Sequence, residues 1–421
     1  MPAAAGTAGG CARIVPREWH AFQPRCPTLS MKMPGKLCAA EAYSARPDTE
    51  GAAQEAVSKL SFELGGSPDL VLAFYTEHHL EQAHRIARQV RGLLAPDAFA
   101  GACTPGVIGG GHEHPHGPGL SLWGARLPGA RVQAFDLQVS KQGNRGYVRG
   151  WPDVGADASV LMFVDQAGFP LDPFLHSLRK GGRYPAILGG MVPTGEEGEA
   201  RLLVDGVAHD EGAVGIVMDG AARLEPVVAQ GCWPVGPAFH ITRAERNIIF
   251  ELDGAPAYDR LTDLLDALPD EESERFRTAP QVGLKQDDVQ EESGAGSYLV
   301  RDIVTLLTNE RALAVGEPVE EGMQLRFHAK DALAAHRELE SMLRLTSAFH
   351  PKPAGALLFT CAGRGRPLFG HPDHDVSLLE TYWPDMPTSG FFAAGEIGPL
   401  GGQPQIRTFT ASLGLLVPSK G

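Results

Sequence analysis

The sequence predicts an α/β protein in which mixed sheets are covered by helices. Two observations support this fold class. Short, nearly continuous apolar runs, which are typical of buried strands, occur at residues 69–75, 159–164 and 354–361. Each run is followed by a segment with helical apolar spacing and then by a strand that ends near glycine. The same order of elements therefore occurs three times, which indicates a structural repeat without strong sequence identity.

Local patterns define the elements of each copy. In the first copy, Leu80, Ala83, Ala87, Val90 and Leu94 recur at the spacing of one helix face. Shorter helices are predicted at 173–180 and 376–382 in the other two copies. The further strands are predicted at 99–108, 120–127, 131–139, 184–190, 201–204, 213–218, 390–394, 406–409 and 411–417.

A separate block lies between the second and third copies. It is predicted to contain strands at 242–252, 297–307 and 323–328 and helices at 258–268 and 331–345. Asp331 is well placed to cap the second of these helices. Within this block, residues 251–296 carry thirteen acidic side chains against four basic ones. A solvated face is favoured for this segment, and an acidic docking surface is the alternative.

Composition excludes several classes of protein. The chain has 421 residues, a length that suits two or three domains, and 43% of them are hydrophobic, which suffices for folded cores. A net charge of −14 argues against a nucleic-acid binder with a broad basic surface. No apolar run approaches the roughly 20 residues that a spanning helix needs. We therefore expect no nucleic-acid partner and no membrane.

The six cysteines form no CxxC pair, and those in the predicted folded part are scattered singly. A chain of this size needs no disulfide framework, so the pattern favours a reduced, cytoplasmic protein. It also excludes a zinc site built on cysteines.

Residues 1–57 are predicted to be a disordered tail or an upstream extension. The first 40 residues contain five prolines, several glycines and no sustained periodicity. A true start near Met31 or Met33 is compatible with this interpretation. An organelle transit peptide is the less favoured alternative, because hydroxyl residues are scarce.

Glycines recur where the second strand of each copy ends, as at Gly189-Gly190 and Gly395. Glycine is required where φ is positive or where another group approaches the backbone closely. Successive N–H groups at such a bend can bind an anion. A tight turn without a ligand is an equally open interpretation of any one copy.

Several longer motifs, in a fixed order, resemble the FIST family (F-box and intracellular signal transduction domains). The C-terminal part carries GALLFTCAGRGRPLF at 355–369, DHD at 373–375 and GFFAAGEIGP at 390–399. Further similar blocks are 101–109, 119–123, 251–257 and 318–331. The resemblance extends from about residue 60 to the end. It implies a FIST N-terminal domain over 58–235 and a related FIST C-terminal domain over 236–421.

The resemblance implies a sensory module that binds a small ligand, with amino acids proposed, and that is often fused to an output domain. Some eukaryotic members carry an F-box. Residues 1–57 show no F-box-like helical pattern, and no output domain is recognised. The protein is therefore expected either to act through a separate signalling protein as its partner or to have a different role.

Arg364, between Gly363 and Gly365, is the leading candidate for ligand binding. A guanidinium fork suits a carboxylate, and Glu396 could accept an ammonium group, so the two together would complement an amino acid. A structural salt bridge between Arg364 and Glu396 is an equally open alternative. The candidate ligand-binding residues are Arg364, Glu396, Gly363, Gly365, His374, Asp375, Gly395, Gly398, Cys103 and Gly106.

A hydrolase or transferase that uses Cys361 with His374 and Asp375 is a less favoured alternative. A nucleophilic cysteine needs a low pKa and an oriented imidazole. Cys361 instead ends a buried strand, and the side chains of two adjacent residues, His374 and Asp375, are expected to diverge. A protein-interaction adaptor is the third hypothesis.

His112, His114 and His116 alternate, so an extended segment would place them on one side as metal ligands. Surrounding glycines and Pro115 favour a flexible loop instead. The sequence thus predicts a cytoplasmic small-ligand sensor with no cofactor and no metal.

Overall fold

The described part of the chain contains mixed sheets covered by helices, which confirms the predicted α/β class. The computed structural model describes residues 35–142, 145–182, 184–193, 199, 201–285 and 298–419. The strands are β1 Cys38–Ser44, β2 Leu70–Tyr75, β3 Ala98–Cys103, β4 Val107–Gly109, β5 His112–His114, β6 Leu120–Arg126, β7 Ala130–Gln142, β8 Arg145–Arg149, β9 Ser159–Asp165, β10 Ala186–Val192, β11 Leu202–Val204, β12 Val207–His209, β13 Ala213–Gly220, β14 Ala222–Gln230, β15 Cys232–Glu245, β16 Ile248–Leu252, β17 Ala255–Pro256, β18 Gln281–Lys285, β19 Tyr298–Leu307, β20 Ala312–Val315, β21 Gln324–Lys330, β22 Gly355–Cys361, β23 Thr388–Ala393, β24 Gly395–Leu400, β25 Gln403–Arg407 and β26 Thr410–Pro418.

The helices cover the faces of these sheets. They are α1 Thr49–Leu64, α2 Ala83–Leu93, α3 Leu171–Lys180, α4 Ala257–Ala267, α5 Asp270–Thr278, α6 Ala332–Phe349, α7 Gly365–Phe369 and α8 His374–Tyr382. The predicted N-cap of α6 is confirmed, because Asp331 Oδ1 accepts a hydrogen bond of 2.7 Å from the Ala334 N–H. Among the described helices, none combines the length and the apolar character needed to cross a membrane.

Each predicted copy contains two parallel strands joined by a helix. β2 pairs with β3, β9 with β10, and β22 with β23, in parallel in every case. An antiparallel strand lies on the other side of the first member of each pair: β6, β13 and β26, respectively. The threefold repeat expected from the sequence is therefore present.

The hairpin that follows each parallel pair completes the sheet of another copy. β4 and β5 extend the third copy at β23, β11 and β12 extend the first at β3, and β24 and β25 extend the second at β10. Each copy thus gives one hairpin and receives one, in a closed cycle. Apart from the additional β8 at one edge, the three sheets share one strand order.

Three phenylalanine rings lie where the copies meet. Phe74, Phe163 and Phe359 occupy corresponding positions on β2, β9 and β22. Their ring centroids are 5.3, 6.0 and 6.1 Å apart, nearly an equilateral triangle, and all three side chains are fully buried. This triangle marks an approximate threefold axis through the core.

A fourth sheet is inserted in the third copy, between β14 and α6. It has the order β15-β21-β18-β19-β20-β16-β17 and packs against α4 and α5. The predicted helix at 258–268 is confirmed as α4. The acidic side chains predicted at residues 287–292 lie outside the described residues.

The predicted boundary of the N-terminal tail at residue 57 is wrong. β1 pairs with β6 along its whole length, and Asp48 caps α1 through a 2.7 Å hydrogen bond from the Gly51 N–H. Three of the seven buried residues of α1 are alanines and one is a threonine, which gives a weak hydrophobic pattern in the sequence. Residues 1–34 lie outside the described residues, whereas 35–421 form one compact unit. The proposed division of this unit at residue 235 stays a prediction.

Candidate functional site

Arg364 lies at the carboxyl end of β22, where the chain leaves the sheet and enters α7. Its side chain is fully buried and binds Asp375 through two parallel hydrogen bonds of 2.9 Å, from Nε to Oδ2 and from Nη2 to Oδ1. The guanidinium charge holds the pKa of Asp375 well below its usual range. Arg364 therefore has a structural ion-pair partner, and this partner is Asp375. It is not Glu396, which the sequence analysis offered as an alternative.

Asp375 is surrounded by further donors at the start of α8. Thr360 Oγ1 donates to Oδ2 at 3.0 Å, and His374 Nδ1 donates to Oδ1 at 2.9 Å. The expectation that His374 and Asp375 diverge is wrong. Asp373, directly before them, has a left-handed backbone with φ of 61°, and α8 begins at His374, so the two side chains meet in the first turn of a helix. The backbone N–H of Asp375 donates in turn to Glu113 of β5 at 3.0 Å.

Glu396 is buried at the start of β24, and only one of its two carboxyl oxygens accepts hydrogen bonds from described residues. Its Oε2 accepts two hydrogen bonds from Thr410, at 3.0 Å from N–H and 2.8 Å from Oγ1. Its Oε1 is buried and has no hydrogen-bond partner among the described residues. Burial raises the pKa of Glu396 to about 8, despite the opposing charges of Arg364 and Arg407. Burial therefore favours the neutral form of this carboxyl group.

Register brings the other members of the site together. Arg407 lies opposite Glu396 on β25, Gln405 lies two residues before Arg407 on the same face, and Gln230 lies opposite Thr410 at the end of β14. A Cβ placed on Gly231 would lie 3.1 Å from Arg364 Nη1, so this end of β14 also reaches the guanidinium. We call Arg364, Glu396, Arg407, Gln230 and Gln405 the buried polar cluster.

Each member of the buried polar cluster presents one polar atom without a described hydrogen-bond partner. These atoms are Arg364 Nη1, Arg407 Nη1, Glu396 Oε1, Gln230 Oε1 and Gln405 Oε1. A buried polar group normally finds a partner, since each one left without it costs about 1–3 kcal/mol. The five atoms belong to residues that strand pairing and the charges of the arginines associate with Glu396, so we take these residues as the candidate ligand site.

Less buried side chains border the cluster. Lys330 Nζ lies 3.2 Å from the centroid of the Phe409 ring, and burial lowers the pKa of this lysine. The same effect raises the pKa of Glu338, on α6, to about 7. Burial also raises the pKa of the Cys361 thiol to about 12, which disfavours the thiolate that a nucleophile requires.

The remaining predicted site residues have different roles. A Cβ on Gly363 would lie 2.6 Å from the Phe409 ring, and one on Gly395 would lie 3.0 Å from the Met191 sulfur. Close packing also accounts for Gly106 and Gly398. Gly365 has a φ of 34°, which L side chains rarely adopt. Packing or backbone conformation therefore accounts for these glycines.

Cys103 lies in a different environment. It is buried on β3, with its Sγ 4.0 Å from Arg201 Nη1, and Arg201 is bound to Glu77 and Glu199. Burial raises the pKa of this thiol to about 12. None of the contacts found in the described ranges joins Cys103 to Arg364.

The histidine-rich segment is ordered, so the prediction of a loop there is wrong for His112–His114, which form β5. His114 stacks on Tyr43 with ring centroids 3.9 Å apart, and its Nε2 lies 3.1 Å from the Gly109 carbonyl oxygen. His112 Nδ1 lies 3.0 Å from Asp373 Oδ2. These contacts direct the two rings toward different partners.

Sequence reasoning missed Arg407, Gln230, Gln405 and Glu338. The one available signal was for Arg407, which lies inside the predicted strand at 406–409. A buried strand rarely contains an unpaired arginine, so this residue could have been recognised as a candidate. Nothing in the sequence marks the other three, since their neighbours come from strands and helices distant along the chain.

Comparison with known proteins identifies the family. The FIST N domain model matches residues 69–255, and the FIST C domain model matches residues 257–399. An uncharacterised protein of Mycobacterium tuberculosis is 34% identical over 378 residues, which cover 89% of this chain and 98% of the relative. An uncharacterised protein of Mycobacterium bovis is 32% identical over 375 residues, which cover 88% and 96%. The chain therefore belongs to the FIST family, whose domains indicate a sensory role in signal transduction.

Proposed function

We propose that this protein is a cytoplasmic sensor that binds an amino acid or a similar small carboxylate at the buried polar cluster. The observation that carries the proposal is that Arg364 Nη1, Arg407 Nη1 and Glu396 Oε1 are all buried without a described hydrogen-bond partner. Guanidinium groups are the usual ligands of carboxylates in proteins. The four cysteines that the structure describes are free thiols, which supports a reducing compartment.

The surroundings of the cluster suit a sensor. Arg364 is fixed by Asp375, and Glu396 is fixed by Thr410, so each keeps one atom available without rotating freely. A ligand that engaged these atoms would link the segment after β22, in the third sheet, to β24 and β25 of the second sheet. Ligand binding would therefore stabilise the mutual arrangement of the two sheets, and a signalling protein could recognise that state.

Isothermal titration calorimetry with a panel of amino acids and small carboxylates tests the proposal. We expect at least one compound to bind, and at 100 times its dissociation constant it should stabilise the protein by about 2.7 kcal/mol in a thermal melt. Arg364→Lys keeps a charge beside Asp375 but removes the guanidinium fork, so affinity should fall at least about tenfold.

Arg201→Lys is the matched control, because Arg201 is also largely buried and bound to carboxylates, in the first copy. It should leave affinity unchanged. Equal affinity of the wild type and Arg364→Lys for the same compound would contradict the proposal.

A further inference from the structure

A cavity of about 400 Å³ lies between α6, α8 and the turn that joins α7 to α8. Apolar side chains form much of its lining, among them Leu333 and Leu378, and Leu333 is 57% exposed. The titratable side chains in the lining are all imidazoles, those of His336, His371 and His374. The cavity shares no lining residue with the buried polar cluster, so it is a separate feature of the protein.

A chain of hydrogen bonds connects this cavity to the buried ion pair. Asp375, which Arg364 keeps ionised, can only accept, so His374 Nδ1 carries a hydrogen and donates to Oδ1 at 2.9 Å. His374 Nε2 lies 3.0 Å from His336 Nδ1, and one of these two nitrogens donates to the other. When both rings are neutral, His374 Nε2 has no hydrogen, so His336 Nδ1 is the donor. Asp375 thereby determines the tautomer of both rings.

One added proton changes His336 Nε2 from an acceptor into a donor. In the neutral pair, His336 carries its hydrogen on Nδ1, so its Nε2 presents a lone pair, and a proton added to this ring binds there. A proton added to His374 instead occupies its Nε2, which then donates to His336 Nδ1 while the hydrogen of His336 moves to Nε2. In both cases the histidine pair carries one positive charge, and His336 Nε2 carries a hydrogen.

The contacts of His374 favour this positive charge. Its ring stacks on Phe369 with centroids 3.4 Å apart and planes 9° from parallel, and the face of an aromatic ring attracts a cation. The carboxylate of Asp375 holds its Nδ1, and Glu113 on β5 accepts from the Asp375 N–H. Arg364 acts in the opposite direction, because it pairs with Asp375 and lies 5.3 Å from the Phe369 centroid. A charge on the His374 ring therefore has stabilising partners on two sides, Phe369 and Asp375.

The other charged and titratable groups near the histidine pair leave the His336 donor available. Glu340, one turn further along α6, has its Oε2 4.0 Å from His336 Nε2, which is beyond hydrogen-bond distance. His371 lies beside His374 with ring centroids 5.7 Å apart. Since the nine described lining residues include no carboxylate, the lining itself offers an anion no like charge.

We propose that this cavity is a second ligand site, which binds a monocarboxylate with an apolar body and takes up one proton from solvent as it does so. The carboxylate accepts from His336 Nε2–H, and the apolar body packs against Leu333 and Leu378. A charge-assisted hydrogen bond of this kind is about twice as strong as one between neutral groups. The inference does not depend on the function proposed for the buried polar cluster.

Three ligands that share one ring and differ in charge test the site on the full chain: phenylacetate, phenylacetamide and phenethylamine. We would titrate each by calorimetry at pH 6 and pH 8, with protein dialysed against EDTA so that no metal ion bridges ligand and imidazole. At pH 6 phenylacetate should bind at least about tenfold more tightly than the neutral amide or the cationic amine. Its affinity should fall at least about tenfold by pH 8, because imidazoles lose their proton in this range.

Proton uptake gives a second readout. Titrations of phenylacetate at pH 7 in buffers of different ionisation enthalpy should show between about one half and one proton taken up per ligand bound. Phenylacetamide should show almost none.

His336→Phe removes the donor and should lower phenylacetate affinity at least about tenfold at pH 6 while abolishing the proton uptake. His240→Phe is the matched control, because His240 is a histidine with a side chain 61% exposed in the fourth sheet, and it should leave both unchanged. His371→Gln should keep the proton uptake. A thermal melt of each variant confirms that it is folded.

Four results would overturn the proposal. The first is equal affinity for phenylacetate and phenylacetamide at pH 6. The second is unchanged phenylacetate binding in folded His336→Phe, which would place the ligand elsewhere. Proton uptake that is lost in His371→Gln but kept in His336→Phe is the third, and absence of saturable phenylacetate binding by the wild type is the fourth.

Discussion

Glu396 and Arg407 lie directly opposite each other on β24 and β25, yet each keeps one buried polar atom without a hydrogen-bond partner among the described residues. The cross-strand position would suit an ion pair. Glu396 instead accepts both of its hydrogen bonds from Thr410. The backbone thus places a carboxyl group opposite a guanidinium group while one polar atom of each stays without a described partner.

The raised pKa of Glu396 predicts a specific dependence of stability on pH. Below its ordinary pKa of 4.5, the carboxyl group is neutral in the folded and unfolded states. As pH rises from about 4.5 to about 8, only the unfolded state loses this proton, so the contribution of Glu396 to folding free energy becomes less favourable. In Glu396→Gln this contribution is absent. Urea unfolding should therefore show the variant gaining several kcal/mol relative to wild type between pH 5 and pH 8. An unchanged difference would contradict the raised pKa.

Breaking the pair of Arg364 and Asp375 should be strongly destabilising. Asp375→Asn leaves the buried guanidinium without its counter-charge, and the expected loss is about 3–5 kcal/mol in the free energy of unfolding. Arg46→Ala is the control, because its ion pair with Asp48 is more than half exposed and contributes about 0–1 kcal/mol. Urea denaturation measures both. A loss in Asp375→Asn no larger than that of the control would show that this pair is dispensable.

The phenylalanine triangle should be the most sensitive part of the apolar core. Phe163→Ala removes one ring and leaves a cavity between three sheets, which should cost about 3–5 kcal/mol. Phe62→Ala changes the same residue type at a position that is 83% exposed, and the expected change is within about 0.5 kcal/mol. Thermal melts of the two variants should differ clearly in midpoint. Similar midpoints would mean that the centre can repack around the lost ring.

Two glycines should respond to alanine with opposite signs. A Cβ on Gly190 would lie 2.8 Å from the Ala393 Cβ and 2.9 Å from the Phe391 ring, so Gly190→Ala should destabilise by about 1–3 kcal/mol. A Cβ on Gly92 in α2 would meet no atom within 4 Å. Gly92→Ala should therefore stabilise by up to about 1 kcal/mol through helix propensity. Stabilisation by both substitutions, measured by urea unfolding, would refute the close packing inferred at Gly190.

The sequence allowed the strand–helix–strand copies to be predicted because their signals are local. Apolar runs such as 159–164 and the cap at Asp331 depend only on neighbouring residues. The exchange of hairpins could not be predicted, since Val107 pairs with Phe391 across most of the chain. The α1 helix was missed because alanines on its buried face give little contrast with its exposed face.

The candidate site was predicted in part for the same reason. Arg364 and Glu396 stand out in glycine-rich motifs. The pair between Arg364 and Asp375 depends on how α7 and α8 fold back, and the position of Gln230 depends on pairing with β26. Side chains whose role arises from such long-range pairing leave no local pattern.

The cyclic exchange of hairpins also limits how the protein can be divided. A fragment that stopped near residue 255 would retain β10 but lack β24 and β25, so one edge of the second sheet would be left with bare amide and carbonyl groups. The third copy would lose its central strands, β22 and β23. The hairpin of β4 and β5, which the first copy contributes to the third sheet, would then have no strand to pair with. We expect such a fragment to aggregate on expression, because the two family domains are mutually required for each other's backbone pairing.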